Sequence, residues 1–446
     1  MVALKLLIID VSGAALDFAD RATRAGHSVR HFIRQDEKTK HIGRGLVNII
    51  EDYSLHLHWA DLIFLADNTK YLKELDAFRQ WGTPIVGPSQ ETAQWELDRD
   101  EGMKVLRGNG IATPPSKEFD NYDEAIKYVS KRMCRLVSKP SGDADKALSY
   151  CAKSPADMVY MLQRWKKSGK LKSPFILQDF IDGIEMAVGG WFGPHGFNVG
   201  WCENWEFKKF MDGDMGVATG EQGTVLRYVK KSKLAELVLA PLEDMLAEQN
   251  YCGYVDVNCI IDEEGNPWPL EFTMRPGWPT FNIQQPLHDG DPVEWLADLA
   301  TGKDARNTSL DTVAMGVVLS IPDYPYSHLT RKEVIGVPIY GLDDARIRRH
   351  VHLCEAMMGE APMERHGQIV SEPTIVTAGD YVLVMTATGE TVWETKRTVY
   401  RRLKALTLPN SPMYRTDIGD RLSKQLPKMQ KHGYATGLVF STPPQP

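Results

Sequence analysis

Short, nearly unbroken apolar runs alternate with amphipathic stretches through the first hundred residues. Residues 4–11 read as a buried strand, Ser12-Gly13 as a turn, 14–25 as a helix closed by Gly26, and 28–33 as a second strand. Residues 61–66 repeat the strand pattern, 70–81 form an amphipathic helix, and 84–86 a short strand. Continuous apolar strands joined by helical crossovers predict a parallel sheet covered on both faces. Gly87-Pro88-Ser89 then introduces one helix over 90–107, with Ser89 as its N-cap. Gly108-Asn109-Gly110 ends that helix, and residues 111–115 are extended because a residue before proline avoids the helical region. From Arg135 the pattern changes to strands, hairpins and helices of an α+β kind, as far as Gly302. A third stretch opens on Val313-Ala314-Met315-Gly316-Val317-Val318-Leu319-Ser320, has many short strands, and closes with a helix over 392–404 and a polar tail. The expected organisation is an N-terminal parallel-sheet α/β domain (1–108), an α+β domain (109–305) and a small mixed, β-rich C-terminal domain (306–446).

Composition agrees. The 446 residues are 43% hydrophobic and 25% charged, which excludes a disordered chain, a collagen and a coiled coil. At roughly 100–200 residues per domain, the length suits two to four domains. No apolar run approaches the ~18 residues that span a bilayer, and the first one reaches Asp10 too soon for a signal peptide. With 52 basic against 59 acidic residues the net charge is −7, and the basic pairs are scattered, so nucleic acid is not an expected partner. Six cysteines lie far apart without a CxxC pair, which suggests reduced thiols and a cytoplasmic setting.

Three segments carry candidate chemistry. Arg135-Leu136-Val137-Ser138-Lys139-Pro140-Ser141-Gly142 delivers a lysine at a strand end beside a small-residue loop, either a point charge for a phosphate or an ordinary exposed lysine. In Phe175-Ile176-Leu177-Gln178-Asp179-Phe180-Ile181-Asp182-Gly183-Ile184-Glu185 an apolar strand meets a connector. Its backbone suits an adenine edge and Glu185 suits ribose hydroxyls; a plain strand–turn–strand with a surface glutamate fits equally. Residues 253–277 form a hairpin with a Gly-Asn turn, in which alternation sends Asp256 and Asn258 to one face, and Glu271 and Thr273 to one face of the second strand. Two carboxylates facing each other there would make an oxygen cage for Mg²⁺, which takes one or two carboxylates plus substrate phosphates. A carboxylate inside the apolar Pro269-Leu270-Glu271-Phe272 is costly without such a partner. The turn Val11-Ser12-Gly13-Ala14-Ala15 lacks GxGxxG spacing, so a plain tight turn is the simpler reading.

In this order the segments resemble the ATP-grasp superfamily, and more narrowly the phosphoribosylamine–glycine ligase family. Phe207-Lys208-Lys209 through Asp212-Gly213-Asp214 to Thr219-Gly220 is similar to that family's HKR…DGD loop, Gly336–Leu342 to its GYP…I.GL run, and Tyr414-Arg415-Thr416-Asp417-Ile418-Gly419 to its YRxDIG. The resemblance implies a pre-ATP-grasp domain, an ATP-grasp domain and a family-type C-terminal domain. It implies an ADP-forming ligase that activates glycine or another small amino acid as an acyl phosphate and joins it to an amine such as phosphoribosylamine, as in purine biosynthesis. ATP with Mg²⁺ (or Mn²⁺) is implied, in a cytoplasmic monomer or homodimer with no membrane partner.

By the same resemblance Lys104 and Lys139 contact phosphates, Gln178, Asp179, Phe180 and Ile181 hold adenine, and Glu185 holds ribose. Asp256, Glu271 and Thr273 bind the metal; Arg275 steadies the acyl phosphate, and Lys208 and Asp214 hold the amino acid or acceptor. The chain departs from the family where the latter grips its phosphorylated amine. The GGREHA-type turn is Val11-Ser12-Gly13-Ala14-Ala15-Leu16, the GPE-type loop is Ala66-Asp67-Asn68, and the GGR turn is Ala378-Gly379-Asp380. The flap over ATP is Ser141-Gly142-Asp143-Ala144-Asp145-Lys146-Ala147, with one glycine and two acids. These departures point to a changed amine acceptor, or to a degenerate nucleotide-binding protein.

Overall fold

Leu6, Leu7, Ile8 and Ile9 are buried on both faces of the strand Lys5–Asp10, as an unbroken apolar run requires in a parallel sheet. The computed structural model describes residues 3–140, 149–169, 174–198, 200–303, 312–326, 332–409 and 411–441. Lys5–Asp10 is the centre of a five-stranded sheet ordered Ile49–Ile50, Ser28–Ile33, Lys5–Asp10, Leu62–Leu65, Ile85–Val86, all parallel. The helix expected over 90–107 is two: Gln90–Leu97, started by a Ser89–Thr92 capping box, and Arg99–Gly108. The break is Asp98, whose backbone is extended (φ −106°, ψ 104°) and whose carboxylate accepts from the amides of Asp100 and Glu101. An Asp side chain bonding its own downstream amides competes with helix continuation, so Asp98 restarts the helix on a new axis.

A four-stranded antiparallel sheet follows, in the order Ser116–Phe119, Phe175–Asp179, Leu136–Pro140, Tyr150–Cys151. Helices Tyr122–Arg132 and Pro155–Lys167 pack together beside it, over Phe119, Leu136, Met158, Leu162 and Leu177. The flap expected at 141–147 lies outside the described residues. The main antiparallel sheet runs Pro267–Thr273, Gly253–Ile261, Ile184–Gly193, Trp201–Glu206, Gly223–Val229, Val313–Ser320, Tyr381–Gly389, Val351–Leu353. Its last three strands come from the expected C-terminal domain, so that region extends the preceding sheet instead of folding apart from it. Every residue of Val313–Ser320 is buried, and Gly223–Val229 on one side and Tyr381–Gly389 on the other supply its ladder partners. The expected boundary at 305/306 lies outside the described residues. Among the described residues no helix is long and apolar enough to cross a membrane.

Candidate active site

The main sheet gathers carboxylates on one face around a single ammonium. Glu185 opens the strand Ile184–Gly193, Glu206 ends Trp201–Glu206, and Glu271 lies in Pro267–Thr273. Lys208 Nζ stands 3.1 Å from Glu185, 2.9 Å from Glu206 and 3.0 Å from Glu271. Arg99, the first residue after the Asp98 break, donates to the other Glu271 oxygen at 2.8 Å. Lys139 Nζ donates to the Leu270 carbonyl at 3.3 Å, and Asn258 Nδ2 to Glu185 at 2.9 Å and to Glu206 at 3.0 Å. Against the desolvation of burial, Lys208 and Arg99 hold Glu271 well below the usual carboxylate range. Burial, followed by the nearby Arg99 charge, pulls Lys139 down to about 7. Despite burial, Glu185, Glu206 and Glu271 hold Lys208 well above the usual lysine value. The cluster is therefore ionic, densely charged and pre-oriented, with its three carboxylates outnumbering Lys208 and Arg99.

The connector stands at the edge of the small sheet. Gln178 is buried within its strand; the Asp179 and Phe180 amides donate to the carbonyls of Pro115 (2.8 Å) and Arg135 (3.1 Å), and Asp179 pairs with Arg132. The Arg135 guanidinium covers the Phe180 ring at 3.5 Å from its centroid. Among the described residues the Ile181 amide has no hydrogen-bond partner.

Three expectations need correction. Lys104 is not brought to the cluster: it is exposed and pairs with Asp100 (2.8 Å) and Glu101 (3.6 Å) on its own helix. Five residues of helical rotation separate it from Arg99, which supplies the cation instead. Asp256 and Glu271 share a face but do not stand directly opposite each other. A register shift in the hairpin sets Asp256 opposite Thr273 and Glu271 opposite Asn258. Asp256 accepts from Asn204 at 2.8 Å and Tyr254 at 3.0 Å, and burial, then Glu206, raises it to about 7. Among the described residues no group of three His, Cys, Asp or Glu side chains is arranged to hold a metal ion. Asp214 is not free for a substrate: it pairs with Arg415 (2.9 Å) and Arg421 (3.4 Å), while Asp417 accepts from Gly213 N (2.8 Å) and Asp212 from Thr416 N (2.8 Å). The 212–214 loop and the Tyr414–Gly419 motif thus clasp each other.

Arg275, just past Thr273, pairs with Glu96 at 3.1 Å. Sequence reading missed Arg99 and Glu206. The signal for Arg99 was the helix-capping residue before it; for Glu206 it was the alternation that puts it on one face with Asn204.

The turns that depart from the family are filled by the chain's own carboxylates. Asp10, fully buried, accepts from the amides of Ser12 (3.0 Å), Gly13 (2.7 Å) and Ala15 (2.9 Å) and pairs with His31 (3.1 Å). Asp67 takes the Val11 amide at 2.6 Å. In the Ala378-Gly379-Asp380 turn, Glu355 accepts from Tyr381 N at 2.9 Å and sits so close that a Cβ on Gly379 would lie 2.0 Å from its Oε2. Burial, then the neighbouring Asp10, raises Asp67 to about 7; burial raises Glu355 to about 7 and Asp380 to about 6. Amides that could greet a phosphate already hold anionic oxygens.

Residues 102–280 match the family model described as "Phosphoribosylglycinamide synthetase, ATP-grasp (A) domain". The chain is 29% identical over 363 residues to phosphoribosylamine–glycine ligase of Neisseria meningitidis serogroup B (78% of this chain, 81% of that one). It is 24% identical over 360 residues to the same-named protein of Salmonella typhimurium (78% of this chain, 80% of that one). The crystal structure of phosphoribosylamine–glycine ligase from Thermotoga maritima superposes with a TM-score of 0.70 at 18% identity, covering 93% of this chain and 100% of that one.

Proposed function

We propose that this chain, a divergent relative of the phosphoribosylamine–glycine ligases with their type of ATP-grasp domain, is an ADP-forming carboxylate–amine ligase whose acceptor amine carries no phosphate. The observation that carries the ligase reading is the Lys208–Glu185–Glu206–Glu271 cluster with Arg99 and Lys139 beside it.

ATP enters with adenine against the 178–181 connector and ribose toward Glu185. Lys139 and Arg99 meet the phosphates, Arg99 exchanging Glu271 for phosphate oxygen. The carboxylate oxygen of a small amino acid attacks the γ-phosphorus, ADP leaves, and Arg275 steadies the resulting acyl phosphate through bidentate donation. The acceptor nitrogen then attacks the carbonyl carbon, inorganic phosphate departs, and the nitrogen gives up a proton. Glu271 and the Thr273 hydroxyl, both hard oxygen donors, would hold Mg²⁺, which takes one or two carboxylates plus substrate phosphates. When bound, the ion supplies charge neutralisation across the phosphates.

The acceptor reading rests on the two self-filled turns. Asp10 uses three amides of the first turn, and Glu355 takes the Tyr381 amide beside Asp380 at the last turn, where no arginine stands. A 5′-phosphate there would lose charge-assisted bonds at about 1.5–3 kcal/mol each, more than a hundredfold in affinity if two are lost. Free thiols at all six cysteines accord with a cytoplasmic enzyme, working as monomer or homodimer. The test is ADP release from MgATP with a panel of amino acids, each against a panel of unphosphorylated amines and against freshly made phosphoribosylamine. Fast ADP release with an unphosphorylated amine supports the proposal. Rapid formation of glycinamide ribonucleotide at micromolar phosphoribosylamine overturns the acceptor assignment, and no ADP with any pair overturns the ligase.

A further inference from the structure

A second, separate cavity of about 480 Å³ opens between the helix Leu16–Arg24, residues 285–292 and the pair Arg349-His350. None of the cluster residues Lys139, Glu185, Lys208 or Glu271 lines it; Arg21, Arg24, Gln285, His288, Arg349 and His350 do. Its volume lies in the range of small-molecule sites, roughly 300–1,000 Å³.

The charges around it do not balance. Asp17 is shared between Arg21 (2.9 Å) and His352 (2.7 Å), and Asp20 between Arg24 (3.0 Å) and Arg348 (2.5 Å). Arg349 has no carboxylate partner among the described residues; its Nε donates to His350 Nε2 at 3.1 Å. That bond requires a neutral acceptor nitrogen, and His350, desolvated and crowded by Arg402 and Arg349, is pushed down to about 4. His288 gives Nε2 to the Tyr228 hydroxyl at 2.9 Å and keeps a buried Nδ1 without a hydrogen-bond partner in the described residues.

Arg21 and Arg24, one helical turn apart, and Arg349, whose carbonyl Arg21 also binds at 3.3 Å, meet a tetrahedral, multiply charged oxyanion with more than one guanidinium, whereas a planar carboxylate engages one guanidinium fork. We propose that this cavity is a binding site for a small phosphate-bearing anion, distinct from the nucleotide cleft. The reading is independent of the ligase assignment.

Inorganic pyrophosphate is the probe. The full chain is titrated calorimetrically at constant ionic strength, with a non-hydrolysable ATP analogue filling the cleft. One binding event per chain is expected, weakened at least tenfold by Arg349→Ala and by Arg24→Ala, both at exposed positions. Each variant's unfolding temperature is checked beside wild type, so that lost binding is read only from folded protein. No binding by wild type, equal binding by both arginine variants, or citrate bound as tightly as pyrophosphate would each overturn the proposal.

Discussion

Glu271 holds an opposite cation on each oxygen, Lys208 on one and Arg99 on the other, so its ionised state belongs to the fold even without a metal. Glu271→Ala should lower turnover by on the order of 10²-fold or more, while circular dichroism stays native because Lys208 keeps Glu185 and Glu206. Turnover near wild type would remove Glu271 from the chemistry. Lys139, drawn down to about 7, is largely neutral at pH 8 and becomes charged when phosphates approach. Nucleotide binding at pH 8 should therefore take up close to one proton, measured by calorimetry in buffers of different ionisation enthalpy, and Lys139→Met should abolish that uptake. Glu185 is tied to Lys208 and Asn258, and the ribose role proposed for it makes a separable demand. Glu185→Ala should raise the ATP KM about tenfold, as expected for a charge-assisted bond of about 1.5–3 kcal/mol, with a smaller change in kcat. Equal use of 2′-deoxy-ATP by wild type would count against it.

At the scale of elements, two joints decide the site. The break at Asp98 starts the helix Arg99–Gly108 where its first side chain meets Glu271, and Gly102 lets that helix lie against its predecessor. A Cβ at Gly102 would come 2.3 Å from the Trp95 carbonyl oxygen, a backbone atom that cannot swing away. Gly102→Ala should destabilise by about 1–3 kcal/mol, seen as a lower midpoint in urea. The other joint is the clasp of the 212–214 loop on Arg415 and Asp417. Because Arg415 is 2% exposed and answers two carboxylates, Arg415→Ala should lower the unfolding temperature clearly. Asp214→Asn, at an exposed position, should leave the amino-acid KM within about twofold, since charge at the rim of a fold contributes ~0–1 kcal/mol. A large KM increase in that variant would return Asp214 to substrate binding.

Across the whole molecule, buried carboxylates pull stability in two directions with pH. Asp67 and Glu355, raised to about 7, and Asp380, raised to about 6, bind protons more tightly folded than unfolded. Between the ordinary carboxylate value of about 4 and pH 7 these groups make stability fall as pH rises. Asp17 and Glu271 are held below that value, so they contribute stability above pH 4 that is lost on acidification. The unfolding temperature should therefore peak at mildly acidic pH and decline toward pH 8, and Asp67→Asn should flatten the decline, as scanning calorimetry across pH would read.

The sequence by itself determined what depends on local pattern. Apolar runs located four of the five strands of the N-terminal sheet, missing Ile49–Ile50, Ser89 started its helix, and the Gly-Asn turn closed the 253–273 hairpin. It also named Lys139, Glu185 and Glu271, because a charge within an apolar strand or beside a small-residue turn stands out in one dimension, whereas Lys208 came only from the resemblance of the 207–220 loop. Tertiary structure decided the rest. A register shift of the hairpin brought Glu271 onto the face of Asp256 but opposite Asn258, a helix restart exchanged Lys104 for Arg99, and the Val313–Ser320 strand joined the last region to the main sheet. Each of these turns on rotation or register, where a slip of one residue moves a side chain to the opposite face. The self-filled turns were half legible: the missing glycines and arginine could be read, but not that Asp10 and Glu355 fold back onto the amides. Those contacts join residues whose partners and burial exist only once the chain is packed.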